Sequence, residues 1–326
     1  MRHVGIVGYG AIGPIHAKAL EEVTKAQLYA VCDHNPERLA ACTQQYPVKQ
    51  YADYDEMLKD PVIDTVHICV PHYLHFEMTI KALEAGKRVV LEKPVTMTEQ
   101  EFEWLRARPD ADRICVVLQN RKNRCVAAAK ATLQEKRLGK VLGAKAFLTW
   151  QRTEAYYQGA DWRGKRKTEG GGVLINQAVH TLDYFSYLLG GVRCVSAQAA
   201  NLSLQGKIEV EDTICARLCL QNDVTGVFFA TNGYMENSPP FFEVVLEKGV
   251  LRYQDRKLWV NGVLTEEDEA ALCGKAYWGS SHALLIREYY DENKYFTVQD
   301  AANTMGTVFS IYKSAMENSR EYSVQW

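Results

Sequence analysis

Residues 3–13 read His3-Val-Gly-Ile-Val-Gly-Tyr-Gly-Ala-Ile-Gly13, an apolar run followed by three spaced glycines. The apolar run predicts a β-strand, and residues 14–20 that follow the glycines predict a helix. Asp33 lies 20 residues beyond the last glycine, at the end of the next apolar run. A G-x-G-x-x-G pattern in this context is typical of a dinucleotide-binding unit, which we expect here.

Each residue of the glycine turn has a distinct predicted role. Gly8 permits the tight turn, Gly10 lets the backbone approach a pyrophosphate, and Gly13 lets helix and strand pack closely. Ala11 and Ile12 stand at the start of the helix, where backbone N–H groups and the positive end of the helix dipole favour phosphate. We therefore expect all five residues to contact the cofactor.

Asp33 bears on the choice between NAD and NADP. Its carboxylate would accept hydrogen bonds from the adenosine ribose hydroxyls and would repel a 2′-phosphate. His34 follows at a point where an NADP enzyme could place an arginine, and a neutral imidazole binds phosphate poorly. The sequence therefore favours NAD, with NADP as the alternative.

The rest of the chain predicts two domains. In residues 1–118, short apolar strands alternate with helical stretches, which predicts a doubly wound parallel sheet covered on both faces. Residues 119–326 show longer, partly alternating strands with little helix between them, which predicts an α+β domain with an open, mixed, mostly antiparallel sheet. The predicted strands are 4–7, 28–32, 65–70, 88–91, 114–118, 144–151, 213–220, 225–231, 241–247, 250–253 and 258–260. The predicted helices include 36–45, 76–85, 98–106, 124–137 and 303–317.

Composition narrows the class of protein. The chain has 326 residues, 38 Lys plus Arg and 40 Asp plus Glu, so its net charge is −2. A near-neutral chain has no electrostatic reason to bind nucleic acid or an anionic membrane, and no apolar run is long enough to span a bilayer. The nine cysteines form no CxxC pair, and several lie in apolar runs. We expect reduced, buried thiols, no disulfide or metal site, and a cytoplasmic protein without a leader segment.

Polar residues follow two of the predicted parallel strands. Pro71, His72 and His75 follow the strand that ends at residue 70, where a turn would border the cofactor crevice. Two histidines could be metal ligands, but no acidic or cysteine partner completes a set, so we expect polar groups near the nicotinamide. Glu92 and Lys93 follow the next strand, and this lysine is a candidate to stabilise a developing alkoxide.

A second group of candidates follows the triple glycine at residues 170–172. On a helix, Asn176, His180 and Asp183 would share one face, and His180 suits a general acid or base because the reference pKa of histidine lies near neutrality. Upstream aromatic and cationic residues could stack on a polyhydroxylated ligand or hydrogen-bond to it, although such residues are also common in plain packing. These residues are Tyr156, Tyr157, Trp162 and Arg163.

Together these motifs resemble the Gfo/Idh/MocA family, the glucose–fructose oxidoreductase and inositol dehydrogenase group. The resemblance covers essentially the whole chain, and it lies in the glycine turn, in residues 32–38, in residues 82–87 leading to Glu92-Lys93-Pro94, and in residues 170–183. It implies a Rossmann domain and a substrate domain, NAD or NADP as cofactor, and a sugar, polyol or related substrate. It also implies that Lys93 and His180 are the catalytic pair and that the protein forms a homodimer or homotetramer through the open sheet.

One residue departs from the family pattern. In the inositol dehydrogenase type an aspartate stands four residues before the histidine, and here the residue is Asn176. Because an amide cannot accept a proton, we expect Asn176 to orient a substrate hydroxyl together with Lys93 and His180.

Three functions are consistent with these residues. The first is an oxidoreductase that transfers a hydride between nicotinamide and a hydroxyl or ketone of a carbohydrate. The second is a glycoside hydrolase in which tightly held NAD transiently oxidises the sugar, and the third is a nucleotide-binding regulator without catalysis. Accumulation of NADH separates the first from the others, and release of sugar without net NADH indicates the second.

Overall fold

The computed structural model describes residues 1–269 and 280–326. These residues form two compact units. The first comprises 1–96, 100–119 and 280–301, and the second comprises 97–99, 120–269 and 302–326.

The first unit contains a parallel sheet with the strand order of a dinucleotide-binding fold. Among the described residues it has six strands in the order β3-β2-β1-β4-β5-β6. This order reverses between β1 and β4, and ligands bind at such a reversal in doubly wound sheets. The strands are β1 (Arg2–Val7), β2 (Ala26–Cys32), β3 (Lys49–Tyr51), β4 (Thr65–Ile68), β5 (Arg88–Leu91) and β6 (Ile114–Val116). The predicted Rossmann architecture is confirmed, with β3 as the strand that the sequence analysis missed.

Local capping explains where several helices begin. Asn35 accepts hydrogen bonds from two backbone N–H groups of the first turn of α2, and Pro36 occupies the first helical position, as predicted. Asp53 caps α3 in the same way. The α-helices of the two units are α1 (Gly13–Leu20), α2 (Pro36–Thr43), α3 (Tyr54–Lys59), α4 (His75–Glu84), α5 (Glu99–Arg106), α6 (Arg124–Gln134), α7 (Glu154–Gln158), α8 (Arg166–Glu169), α9 (Val179–Leu189), α10 (Ser281–Arg287) and α11 (Ala302–Met316). Residues 288–292 and 174–178 form π-helical turns.

Residues 280–301 correct the predicted domain division, which assigned everything from residue 119 onward to the second domain. Leu285, Ile286, Tyr289 and Tyr290 are buried in the same apolar core as the strands β1 and β2. Residues 280–301 therefore belong to the first unit, although most residues of the second unit precede them in the sequence. Burial of these four large side chains provides the driving force.

The second unit is built on a larger sheet. Its described strands follow the order β14-β13-β12-β11-β7-β10-β9-β8-β15, and all neighbours are antiparallel except β7 and β10. This confirms the predicted open mixed sheet. The strands are β7 (Val141–Thr149), β8 (Val192–Ala200), β9 (Thr213–Leu220), β10 (Thr225–Thr231), β11 (Phe241–Leu246), β12 (Gly249–Gln254), β13 (Lys257–Val260), β14 (Val263–Glu267) and β15 (Tyr322–Ser323).

The helices of the second unit pack on its sheet. The side chains of Tyr184 and Phe185 in α9 are buried against Phe242 of β11, with the Tyr184 ring tilted and the Phe185 ring edge-on to it. The predicted C-terminal helix is confirmed as α11, which packs on β8. Strand β8 was not predicted, because apolar and polar residues alternate too weakly in its alanine- and serine-containing sequence to be recognised by periodicity.

The cysteines depart from the prediction of reduced, buried thiols. Cys194 and Cys219 face each other on the neighbouring strands β8 and β9 and form a disulfide, with 5.0 Å between their Cα atoms. Cys215 is exposed, whereas the remaining described cysteines are buried free thiols. Cys273 lies outside the described residues. The prediction was wrong for the bonded pair because strand register, which places the two residues side by side, is not visible in their sequence spacing.

None of the helices in the described ranges is long and apolar enough to cross a bilayer.

Candidate active site

The glycine turn of the first unit has the geometry that a dinucleotide requires. Gly8 has a φ of +84°, and a Cβ there would lie 2.5 Å from the carbonyl oxygen of Cys69, so only glycine fits. A Cβ on Gly13 would lie 2.4 Å from the Gly8 carbonyl oxygen, whereas a Cβ on Gly10 would meet only the end of the Arg38 side chain at 3.9 Å. The turn is therefore tightly packed at Gly8 and Gly13 and leaves room beside Gly10, which fits the close approach of a pyrophosphate.

Asp33 ties the turn to the end of β2. It is 4% exposed, and its two carboxylate oxygens accept the backbone N–H groups of Tyr9 at 2.8 Å and Asn35 at 2.9 Å. The Arg38 guanidinium lies 3.6 Å from the same carboxylate. Only His34 was considered for a phosphate contact beside Asp33, and the ion pair with Arg38 was not predicted.

No side chain caps the N-terminus of α1, which begins at Gly13. Its first N–H groups, together with Gly10 and Asp33, fit a dinucleotide that places its phosphates on the turn and a ribose at the carboxylate. Ala11 and Ile12 lie in the turn just before this helix, and their contact with the cofactor stays a prediction.

The histidines after β4 are buried. His75 is 1% exposed, and its two ring nitrogens lie 2.7 Å from the Pro94 carbonyl oxygen and 2.9 Å from that of Val70. His72 is buried beside it in the short turn that Pro71 precedes. The His75 ring therefore joins the loop after β4 to the loop after β5, which contains Lys93.

Glu92 lies in a buried cluster that the sequence analysis did not find. Its carboxylate accepts a hydrogen bond from His16 at 3.1 Å and lies 3.5 Å from a ring nitrogen of His282. Burial opposes ionisation of Glu92, but the two histidines outweigh it and hold its pKa well below the usual value. His16 also contacts His67 at 2.9 Å. Lys93 follows Glu92 and is partly exposed.

This cluster has no local sequence signal, because His282 comes from a segment 190 residues further along the chain. The cluster fixes the Glu92 side chain immediately before Lys93.

In the second unit, the triple glycine is in contact with a buried carboxylate. The Glu211 carboxylate accepts the backbone N–H groups of Gly172 and Leu174 and the hydroxyl of Tyr312, each at 2.9 to 3.2 Å. A Cβ on Gly172 would lie 1.8 Å from the Glu211 carbonyl oxygen, so glycine is required there by close packing. This contact fixes the start of the segment with Asn176 and His180.

Asn176 and His180 are the two partly exposed residues in the otherwise buried stretch 171–185. Asn176 lies in the π-helical turn 174–178, and His180 lies in the first turn of α9. π-helical turns occur preferentially at functional sites. The Asn176 amide donates a hydrogen bond of 2.5 Å to the carboxylate of Glu169, a residue that sequence reasoning missed.

Asp183, the third residue of the predicted group, is buried. It is 1% exposed and accepts two hydrogen bonds from the Arg121 guanidinium, at 2.8 and 2.6 Å, and one from Thr304 of α11. Asp183 is therefore buried with a cationic partner, and it also lies close enough to His180 for the charge of that residue to lower the pKa of Asp183. The grouping of Asp183 with Asn176 and His180 stays a prediction.

The upstream aromatic residues form a stack with two arginines. The Arg163 guanidinium lies 4.3 Å from the centre of the Tyr156 ring and 5.5 Å from that of Trp162. Arg152, which sequence reasoning missed, lies 5.1 Å from the same tyrosine ring. The Tyr156 hydroxyl accepts a hydrogen bond from Gln177, the neighbour of Asn176. The stack is thus attached to the segment that contains Asn176 and His180.

Tyr157 is buried next to Tyr156. Its hydroxyl accepts a hydrogen bond from Asn232, which also donates to Gln177. Burial raises the pKa of Tyr157, so its hydroxyl stays protonated at neutral pH.

These features define an NAD-binding oxidoreductase. The family model described as "Oxidoreductase family, NAD-binding Rossmann fold" matches residues 2–119, and the model "GFO/IDH/MocA C-terminal domain" matches residues 126–252. The chain belongs to the GFO/IDH/MocA oxidoreductase family, as its motifs predicted.

Several named proteins are similar to this chain. Levoglucosan dehydrogenase of Pseudarthrobacter phenanthrenivorans is 26% identical over 289 residues, which cover 78% of this chain and 74% of the relative. Myo-inositol 2-dehydrogenase of Thermotoga maritima is 26% identical over 268 residues, which cover 81% and 78%. Among solved structures, the WlbA dehydrogenase from Chromobacterium violaceum, in complex with NADH and UDP-GlcNAcA, has a TM-score of 0.87 and 27% identity, and the match covers 99% of this chain and 96% of that one.

Proposed function

We propose that this protein transfers a hydride between NAD and a hydroxyl or ketone group of a sugar-like substrate. The proposal depends mainly on one observation in the second unit. The stretch 171–185 is buried except for Asn176 and His180, whose side chains are partly exposed. A buried helix that exposes one amide and one imidazole presents a hydrogen-bonding group and an acid–base group to a ligand.

The residues divide the chemistry as follows. When bound, NAD supplies the hydride acceptor at the nicotinamide. His180 takes the proton of the substrate hydroxyl, and the Lys93 ammonium stabilises the negative charge that develops on its oxygen. Asn176 orients a hydroxyl, and the stack of Tyr156 with Arg163 contacts the sugar.

The relatives support the substrate class. The proteins similar to this chain include dehydrogenases named for levoglucosan and myo-inositol, and a WlbA structure that holds a nucleotide sugar. These names support a carbohydrate-like molecule as the substrate of this protein.

The decisive experiment incubates the purified protein with NAD and a panel of pyranoses, anhydrosugars, inositols and nucleotide sugars, and follows NADH absorbance and sugar release. We expect NADH to accumulate with at least one ligand. Release of sugar without net NADH would indicate the redox-assisted hydrolase instead, and NAD binding without turnover of any ligand would indicate a regulator.

Two variants test the assignment of roles. We expect Lys93→Ala and His180→Ala each to lower kcat by about 10²–10⁴-fold while NAD binding, measured by calorimetry, is retained. Lys248→Ala, on an exposed turn before β12, is the matched control and should leave turnover unchanged. Unchanged turnover in both site variants would remove this mechanism.

We also propose a cytoplasmic homodimer or homotetramer that associates through the open sheet. Large apolar side chains on its strands are exposed, namely Leu142, Val227 and Val245. Such side chains on a sheet face favour burial against a second copy. Light scattering after gel filtration tests the subunit number, and Val227→Lys should shift the protein towards the monomer. Cell fractionation tests the location.

A further inference from the structure

Glu169 is a buried carboxyl group in direct contact with Asn176. It ends helix α8, immediately before the triple glycine, and its side chain is fully buried. One carboxylate oxygen accepts the Asn176 amide at 2.5 Å, and the other accepts the backbone N–H of Gly164 at 2.5 Å. The hydride-transfer chemistry proposed above assigns no task to this group.

The surroundings of Glu169 include both signs of charge. The buried Glu211 carboxylate disfavours its ionised form, and the Arg163 guanidinium favours that form. Two tyrosine side chains, Tyr157 and Tyr312, lie close enough to sense its charge. Burial is the largest influence and raises the pKa of Glu169 to about 7, despite the hydrogen bonds from Asn176 and Gly164 that lower it.

The contact determines which end of the Asn176 amide faces away from Glu169. An asparagine side chain has a donor end and an acceptor end of nearly equal shape, and it can rotate to exchange them. An ionised carboxylate can only accept hydrogen bonds. It therefore holds the NH₂ end of Asn176, and the carbonyl oxygen is turned away from Glu169.

We propose that Glu169 is a positioning residue that locks Asn176 as a hydrogen-bond acceptor for a substrate hydroxyl. This inference rests on the proposed function, in which Asn176 orients that hydroxyl. An aspartate carboxylate at position 176 would accept hydrogen bonds in any rotamer. In this chain the pair of Glu169 and Asn176 provides the same acceptor with two residues.

The lock depends on the protonation of Glu169. Above about pH 7 the carboxylate is ionised and accepts from the Asn176 NH₂ group. Below it, the protonated carboxyl can donate to the Asn176 carbonyl, so the amide can rotate and present its NH₂ group to the substrate. A hydroxyl that donates to Asn176 then loses its acceptor, and substrate affinity falls as the pH decreases.

The kinetic experiment compares KM between pH 5.5 and 8.5, about 1.5 units on either side of the expected transition. For the unmodified enzyme we expect KM to rise about 10-fold towards low pH, since one hydrogen bond to substrate is worth about a factor of ten. Glu169→Gln should have the high KM throughout and no transition, because the glutamine oxygen accepts the Gly164 N–H and leaves its NH₂ group to hold the Asn176 carbonyl. Glu243→Gln is the matched control: this buried glutamate forms ion pairs with Lys145 and Arg252, and its substitution should leave the transition in place.

A double variant separates positioning from structural damage. Glu169→Gln combined with Asn176→Asp restores an acceptor at position 176 without the lock, so the low KM should return and stay constant between pH 6 and 8, about two units above the reference pKa of aspartate. A high KM in the double variant, or a transition that persists in Glu169→Gln, would overturn the proposal.

A spectroscopic measurement tests the lock without any turnover. In the unmodified protein, the ¹⁵N-bound side-chain protons of Asn176 should shift with a midpoint near pH 7, and the shift should be lost in Glu169→Gln but not in Glu243→Gln. If these resonances do not titrate, or titrate equally in Glu169→Gln, Glu169 does not control Asn176. If they titrate as expected and no sugar is turned over, the lock stands and the proposed reaction fails.

Discussion

Replacement of Asp183 by asparagine should destabilise the second unit rather than alter its chemistry. The Asp183 carboxylate is 1% exposed and makes two hydrogen bonds to the Arg121 guanidinium, whose side chain is 5% exposed. Thr304 of α11 donates a third bond. Asparagine keeps the size of the side chain but removes its charge, so the Arg121 cation remains buried without a counter-charge.

The magnitude follows from this burial. Removal of one partner of a buried ion pair costs about 3–5 kcal/mol. Because asparagine retains one acceptor oxygen for Arg121, we expect a loss of about 3 kcal/mol in the free energy of unfolding at neutral pH. The Arg121 guanidinium also lies 4.8 Å from the Tyr187 ring, which retains part of its stabilisation.

The pH dependence of this loss has a definite sign. Burial opposes ionisation of Asp183, but Arg121 outweighs it and lowers the pKa of Asp183 below 3.8. The stabilisation is therefore fully present above about pH 4 and declines as the pH falls through the lowered pKa. The difference between the two proteins should shrink in that acidic range.

The assay is urea denaturation followed by circular dichroism, with turnover measured under native conditions. Asp223→Asn is the matched control, since Asp223 pairs with Arg193 on the surface and is 89% exposed, and it should cost less than about 1 kcal/mol. A loss of turnover in Asp183→Asn with unchanged stability would refute the structural role and return Asp183 to the catalytic face.

Two further substitutions test the packing of each unit. Gly8→Ala places a Cβ within 2.5 Å of the Cys69 carbonyl oxygen, so we expect a loss of more than about 2 kcal/mol in the free energy of unfolding, measured by urea denaturation, and weaker NAD binding by calorimetry. The control is Gly86→Ala, at a similar positive φ with no atom within 4 Å, which should cost about 1 kcal/mol. Equal costs would contradict the role of the close contact. Cys194→Ser should lower the stability of the oxidised protein by about 3.5 kcal/mol, the value expected for a loop of 25 residues. It should also remove the linked Cys194–Cys219 peptide from a non-reducing peptide map, and absence of that peptide from the unmodified protein would contradict the pairing.

The sequence alone determined those features whose signals lie close together along the chain. The glycine turn, the helix after it and Asp33 fall within about thirty residues, so spacing and periodicity were sufficient to predict a Rossmann unit and its cofactor. The motif Glu92-Lys93-Pro94 and the segment around His180 are equally local. For that reason the family, the two architectures and the candidate residues could be recognised without coordinates.

Only the tertiary structure decided which side chains have which partners. The spacing of Asp183 from His180 could be read from the sequence, but its buried ion-pair partner Arg121, 62 residues away, could not. Residues 280–301 return to the first unit and place His282 beside Glu92, across 190 residues. These contacts depend on burial and register between distant segments, and helical spacing contains no information about either.

The contact between Glu169 and Asn176 could not be predicted from the sequence either, although the two residues are close in the chain. Glu169 lies only seven residues before Asn176, yet the contact depends on a tight turn through the triple glycine and on a π-helical turn, neither of which periodicity predicts. The sequence thus determined the family and which residues are candidates for the chemistry. The fold decided their burial, charge environment and orientation, because those properties arise from atoms that meet only when the chain is packed.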